Sequence, residues 1–215
     1  MSQALTVAIA GTSYYAEVYY EHLRNDDRFH VRGFVVDDEY RTDADSFCGL
    51  PILGEPDNFS LLRKNGIEGL FAPIGHNGPR MVILGKANEA GFKTPSFVHP
   101  DACLDPEVKV GPGVYILGGT NIMPYVTLEP YAMISAGVNI AHHTTIESGA
   151  FISMGSNIGA KLRIGKRAFI GIGATVMTGV DYVGNDVMVG AGAVVIKNVE
   201  PEQTVVGVPA RPLDR

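Results

Sequence analysis

The chain has 215 residues, 46% of them hydrophobic and 19% charged, so there is room for one large packed domain or two small ones. Its net charge of −6 comes from 17 basic and 23 acidic residues, and residues 141–215 are near neutral, which excludes a nucleic-acid surface in either half. Cys48 and Cys103 form no disulfide framework, the N-terminus lacks the marks of a signal peptide, and no stretch nears the roughly 18 apolar residues of a membrane helix, so a soluble cytoplasmic protein without membrane insertion is expected.

In chain order, Leu5–Ala10 reads as a strand ended by Gly11, and Tyr15–Arg24 as an amphipathic helix. Val31–Val36 reads as a second strand, closed by Asp37 and Asp38. Asp57–Asn65 reads as a helix, Ile67–Ile74 as a third strand and Gly78–Ala90 as a further helix. Strand, glycine turn, helix, strand and acidic pair make a Rossmann-like half. Residues 11–16 carry one glycine where the dinucleotide fingerprint has three, which argues against NAD. A helix N-terminus behind Gly11 can still hold a phosphate. Asp37 or Asp38 can accept hydrogen bonds from a ribose or a base, or can simply end a strand in solvent.

From Val98 the pattern changes to a period of six. Fourteen consecutive positions at that spacing, from Val98 through Ile140 to Val176, are Val, Leu or Ile. The position four residues after each is mostly small, as at Ala132, Thr144, Ala150 and Ala168. One extra residue follows Val176, and the series resumes at Val183, Val189 and Val195. Residues two apart on a strand share a face, so the small position and the next aliphatic both point inward. The residues between form a bend, and glycine, proline and asparagine collect there. Three hexapeptides make one triangular coil of about 18 residues, each coil stacked on the last. The fold class is therefore α/β plus all-β: a small Rossmann-like domain over residues 1–97, then a parallel β-helix over 98–215.

The whole chain resembles the bacterial nucleotide-amino-sugar N-acetyltransferases of the sialic acid O-acetyltransferase-like, hexapeptide-repeat family. The marks are Gly11 after the first strand, Val35-Val36-Asp37-Asp38, Ile74-Gly75-His76-Asn77 with Arg80, Val98-His99-Pro100, Ile140-Ala141-His142-His143, Gly171-Ile172-Gly173 and Gly207-Val208-Pro209-Ala210. The resemblance implies a left-handed β-helix. It implies a homotrimer, with acetyl-CoA in the groove between neighbouring prisms and no metal. The implied acceptor is the amine, usually on C4, of a nucleotide-linked deoxy sugar, in surface-polysaccharide or lipopolysaccharide biosynthesis.

The resemblance also implies site residues. His142 falls at the family's general-base position, on a bend. An imidazole of ordinary pKa, about 6.5, can take a proton at neutral pH, and such help is typically worth about 10²–10⁴-fold. The family places an acidic residue next, which raises the basicity of the histidine; here it is His143, a second catalytic candidate that brings no negative charge. Ser135 stands where asparagine is common. Ala160, one coil after His142, matches the backbone N–H that holds the thioester carbonyl. Ile172 and Gly190 match positions lining the pantetheine groove, and Phe151 replaces a cofactor-contacting histidine of some relatives. On the substrate side the candidates are Gly11, Ser13, Tyr14, Tyr15, Asp37, Asp38 and Gly75. Tyr14 and Tyr15 replace the glycine and histidine of the family's loop. The alternatives are a sugar O-acetyltransferase, a non-catalytic nucleotide-sugar-binding homologue, and a zinc enzyme on the same helix, which needs three converging histidines.

Overall fold

The computed structural model describes residues 4–42 and 44–213. The chain divides into two compact units, Met1–Pro95 and Ser96–Arg215. Phe97–Val98 already pairs in parallel with Tyr115–Ile116, so the second unit begins two residues before the boundary read from the sequence.

The first unit is built on a three-stranded parallel sheet. Its strands are β1 (Leu5–Ala10), β2 (Phe29–Val35) and β5 (Gly69–Phe71), in the order β2-β1-β5. Val7, Ala8, Ile9 and Ala10 are all buried, as in a parallel strand covered on both faces. Helix α1 (Tyr14–Leu23) follows β1, and the Ser13 hydroxyl caps it by accepting from Ala16 N. Helix α2 (Phe59–Lys64) starts later than its sequence suggests, because Asn58 takes the cap and accepts from Leu61 N. β5 is shorter than the apolar run Ile67–Ile74, which Pro73 interrupts with a residue that has no N–H for the ladder. Helix α3 (Asn77–Glu89) follows.

A hairpin of β3 (Ser46–Phe47) and β4 (Leu50–Pro51) was not expected from the sequence. Its turn, Cys48-Gly49, has φ of 48° and 76°, the positive pair that two-residue hairpins favour. The chain beyond it runs beside β2, with Leu53 N donating to Phe34 O and Val36 N to Gly54 O. Gly33 on β2 is obligatory there. A Cβ would stand 2.5 Å from Pro51 O.

The second unit is a β-solenoid of about six turns with three sheets, parallel throughout except for the last strand of one of them. Pairing steps by 18 residues, as in Asn121↔Asn139 and Asn139↔Asn157. Beyond the extra residue it steps by 19, as in Arg163↔Tyr182 and Phe169↔Met188. One face carries Tyr115, Met133, Phe151 and Phe169 in register and is called the aromatic face. The next carries Asn121, Asn139 and Asn157, whose side-chain amides hydrogen-bond along the axis at 3.2 and 3.0 Å. It is called the asparagine face.

The six-residue series forms the core: Ile116, Ile134, Ile146, Ile152, Ile164 and Ile170 are completely buried. Each removes apolar surface worth about 1.5–3 kcal/mol. The small positions are buried too, and where they are polar their hydroxyls are bonded. Thr120 Oγ1 donates to Ser135 O, Thr144 Oγ1 to Gly159 O and Ser156 Oγ to Gly171 O. The series weakens in the first coil, where Val110 is exposed. From Gly113 to Gly192 the second residue of the bends takes a left-handed backbone, with glycine at 119, 137, 155 and 173 but Tyr125, His143 and Lys161 along one edge.

Candidate functional site

The first unit has a cleft of about 520 Å³ at the C-terminal ends of its three strands. In an open α/β sheet this is where ligands bind, at the point where strand order reverses. Gly11 and Ser13 line it after β1, Asp37 after β2, and Gly75 with His76 after β5. Gly11 turns the chain out of β1 at φ 95°, a conformation that L side chains rarely adopt, and donates to Val35 O. The loop 74–77 is held from beneath by Arg80, which is fully buried; its guanidinium donates to Ile74 O and to Asn77 Oδ1.

Four of the seven expected substrate residues therefore share one cleft, and three do not line it. Tyr14 opens α1 and is 88% exposed. Tyr15 packs edge-on against Tyr19, with ring centroids 5.3 Å apart. Asp38 starts an exposed 3-10 turn, Asp38–Tyr40. That turn brings in Tyr40, which sequence reasoning missed, as it did Thr12, His76 and Pro56. The hydrogen bond of Tyr40 with Glu39, and the charges of Glu39 and Asp37, hold its phenol above the usual tyrosine range, so it stays a donor at neutral pH.

In the second unit, Pro124, His142, Ala160 and Thr178 take the same place in successive coils, at the bend that follows the asparagine face. The ladder places them: Met123 N donates to Ile140 O, Ala141 N to Ile158 O and Gly159 N to Val176 O. His142 is half-buried and His143 exposed. Their Nδ1 atoms lie 3.1 Å apart with the rings perpendicular, and the His143 ring also packs on Tyr125 at 4.8 Å. Two imidazole nitrogens at that distance share one hydrogen. With His142 as donor, its Nε2 keeps a free lone pair.

The Ala160 N–H, expected at a thioester carbonyl, donates to Thr178 Oγ1 at 3.1 Å. Ile172 lies at the opposite edge of the asparagine face and is 58% exposed. Gly190 lies at that same edge, beside the next coil, and a Cβ on it would stand 2.8 Å from Val206 Cγ1. Between the two edges runs a trough of about 510 Å³ over Asn139, Ala141, Asn157 and Gly159, bounded by Met123 and Met177. Phe151 stacks edge-on with Phe169 on the aromatic face, and Ser135 is buried. Among the described residues no group of three or more His, Cys, Asp or Glu side chains is placed to hold a metal ion, and no helix is long and apolar enough to cross a membrane.

No family model matches the chain, and no curated protein matches it by sequence. Solved structures do match. PerB from Caulobacter crescentus, a GDP-perosamine N-acetyltransferase crystallised with CoA and GDP-perosamine, is 31% identical, with 97% of each chain covered and a TM-score of 0.89. Variants of that enzyme with one histidine replaced by alanine or asparagine match equally well. The acetyltransferase domain of PglB from Neisseria gonorrhoeae, in complex with acetyl coenzyme A, is 27% identical over 98% of this chain and 100% of that one, with a TM-score of 0.86. WeeI from Acinetobacter baumannii, 21% identical at a TM-score of 0.69, shares the fold. The solenoid is the left-handed β-helix of these acetyltransferases.

Proposed function

Since the chain belongs to the hexapeptide-repeat sugar acyltransferases, we propose that it transfers an acetyl group from acetyl-CoA to the amine of a nucleotide-linked amino sugar. The observation that carries this reading is the His142–His143 pair on an outward bend of the solenoid. His142 Nδ1–H donates to His143 Nδ1, which fixes the ring and leaves Nε2 as the base. His143 thus does by hydrogen bonding what a neighbouring carboxylate does by charge. An amine loses its proton only during or after attack, so a base without charge support suffices, and N-acylation is favoured over O-acylation.

Each unit has its own task in this reading. The cleft of the first unit holds the nucleotide of the sugar. Gly11 and the capped start of α1 face the phosphates, and Asp37 offers an acceptor beside the ring of Tyr40. The trough of the asparagine face, with Ile172 and Gly190 at its far edge, carries the extended pantetheine. The active form is a homotrimer, and the enzyme works in the cytoplasm, where both substrates are made.

The test is thiol release from acetyl-CoA with a panel of UDP-, dTDP- and GDP-linked amino sugars, GDP-perosamine included. Release that depends on one of them, with an acetamido product, is expected. Acetyl-CoA binding without transfer to any amine would sink the reading in favour of a non-catalytic binder.

A further inference from the structure

The bend at Thr178 is the one irregular bend in the regular tract. The extra residue falls there: Gly179 turns at φ 100°, Thr178 and Val180 bridge, and pairing shifts from 18 to 19 residues. The coil below presses on it, since a Cβ on Gly159 would stand 2.4 Å from Thr178 N. The β-branched side chain has few rotamers to choose from, and its Oγ1 reaches back to the Ala160 N–H. The hydroxyl therefore lies at the level of Ala160, one coil of about 4.8 Å from His142, on the rim of the trough.

A hydroxyl has one hydrogen and two lone pairs. Here one lone pair accepts from Ala160, and among the described residues the hydrogen is given to no protein acceptor. Accepting a hydrogen bond polarises the O–H and makes it a stronger donor. We propose that the Thr178 hydroxyl, backed by the Ala160 N–H, is the donor that holds the acyl carbonyl oxygen. This rests on the reading of the protein as an acetyl-CoA-dependent acyltransferase.

In the reaction the amine forms the new C–N bond while the carbonyl π pair moves onto oxygen, where Thr178 O–H holds it. The pair then returns, the C–S bond breaks and CoA leaves as the thiolate. The amine proton passes to His142 Nε2 and from there to the thiolate. Direct bonding of the carbonyl by Ala160 N–H would require Thr178 to swing away first.

The two arrangements make opposite demands on Thr178. Isotope-edited infrared spectra of bound acetyl-CoA, carbon-13 labelled at the carbonyl, read the hydrogen bond without any acceptor. The carbonyl band should move to lower frequency in the wild type and in Thr178→Ser. That shift should be lost in Thr178→Val, whose methyl takes the place of Oγ1 and keeps the Ala160 N–H covered. With GDP-perosamine as acceptor, Thr178→Val should lower kcat by at least about tenfold, with acetyl-CoA affinity within about twofold of wild type. If Thr178→Val keeps the full shift, the Ala160 N–H is the donor and the inference is wrong. A shift that follows Thr178 in a protein that acetylates no sugar would discard the proposed acceptor and leave the inference standing. Absence of acetyl-CoA binding by the wild type would overturn both.

Discussion

His143 holds a left-handed backbone at φ 59°, a region that asparagine, aspartate and histidine enter more readily than other side chains. The bend thus sets its ring beside Nδ1 of His142. This separates two effects by mutation. His142→Ala removes the base and is expected to lower kcat at least about tenfold, with acetyl-CoA affinity unchanged. His143→Ala removes only the orienting acceptor and should cost less. His143→Asn suits the same backbone and keeps an acceptor, so it should recover most of what alanine loses. Steady-state kinetics on all three variants checks the order; equal losses in His143→Ala and His143→Asn would mean that the imidazole acts by other means. Sequence reasoning could place His142 but not this pairing. It read His143 as a missing charge, because the torsion angle that aims the ring is not written in a hexapeptide pattern.

At the scale of elements, the corner around Thr178 depends on a glycine in the coil beneath. Gly159→Ala would set a Cβ 2.4 Å from Thr178 N and 2.7 Å from Met177 C, both backbone atoms that cannot rotate aside. The expected outcome is a protein that keeps its solenoid, by far-ultraviolet circular dichroism, but melts several degrees lower, in keeping with about 1–3 kcal/mol of overpacking. Activity should fall more steeply than stability. The solenoid itself was legible from Val98 onward, since each aliphatic at the six-residue spacing answers to an inward site repeated in every coil. The sheet of the first unit was legible in its strands and helices but not in their limits. Asn58 and Pro73 set those limits locally. The Cys48-Gly49 hairpin escaped because its strands are two residues long, too short to show alternation. Asp37 and Asp38 looked equivalent as neighbours. The 3-10 turn that starts between them puts only Asp37 on the cleft.

For the whole molecule, both edges of the asparagine face carry exposed apolar side chains. Met154 and Ile172 stand along one edge, and Met123, Met177 and Ile196 along the other. Burying them against a second prism, as the proposed homotrimer requires, would be worth more than leaving them in water. Cyclic assembly also covers each such face without leaving an open end. Light scattering at micromolar concentration should give three times the 23.0 kDa of one chain. A particle the size of one chain would remove the groove that the proposed cofactor needs. Nothing in a single sequence states which face of a three-sided prism meets its neighbour. The amide row and its apolar margins become visible only when residues 18 apart are stacked.

The last turn has a consequence of another kind. A solenoid of parallel strands ends in a ledge of unpaired N–H and C=O groups, a template on which any extended chain could continue. On the aromatic face the chain doubles back, and Arg211–Pro212 pairs antiparallel with Val205–Val206. The final strand thus runs against the direction of every strand below it, and Pro212 has no N–H to offer. On this face the rung that follows the parallel stack is a reversed one, which presents its N–H and C=O groups in a different pattern from the rungs below.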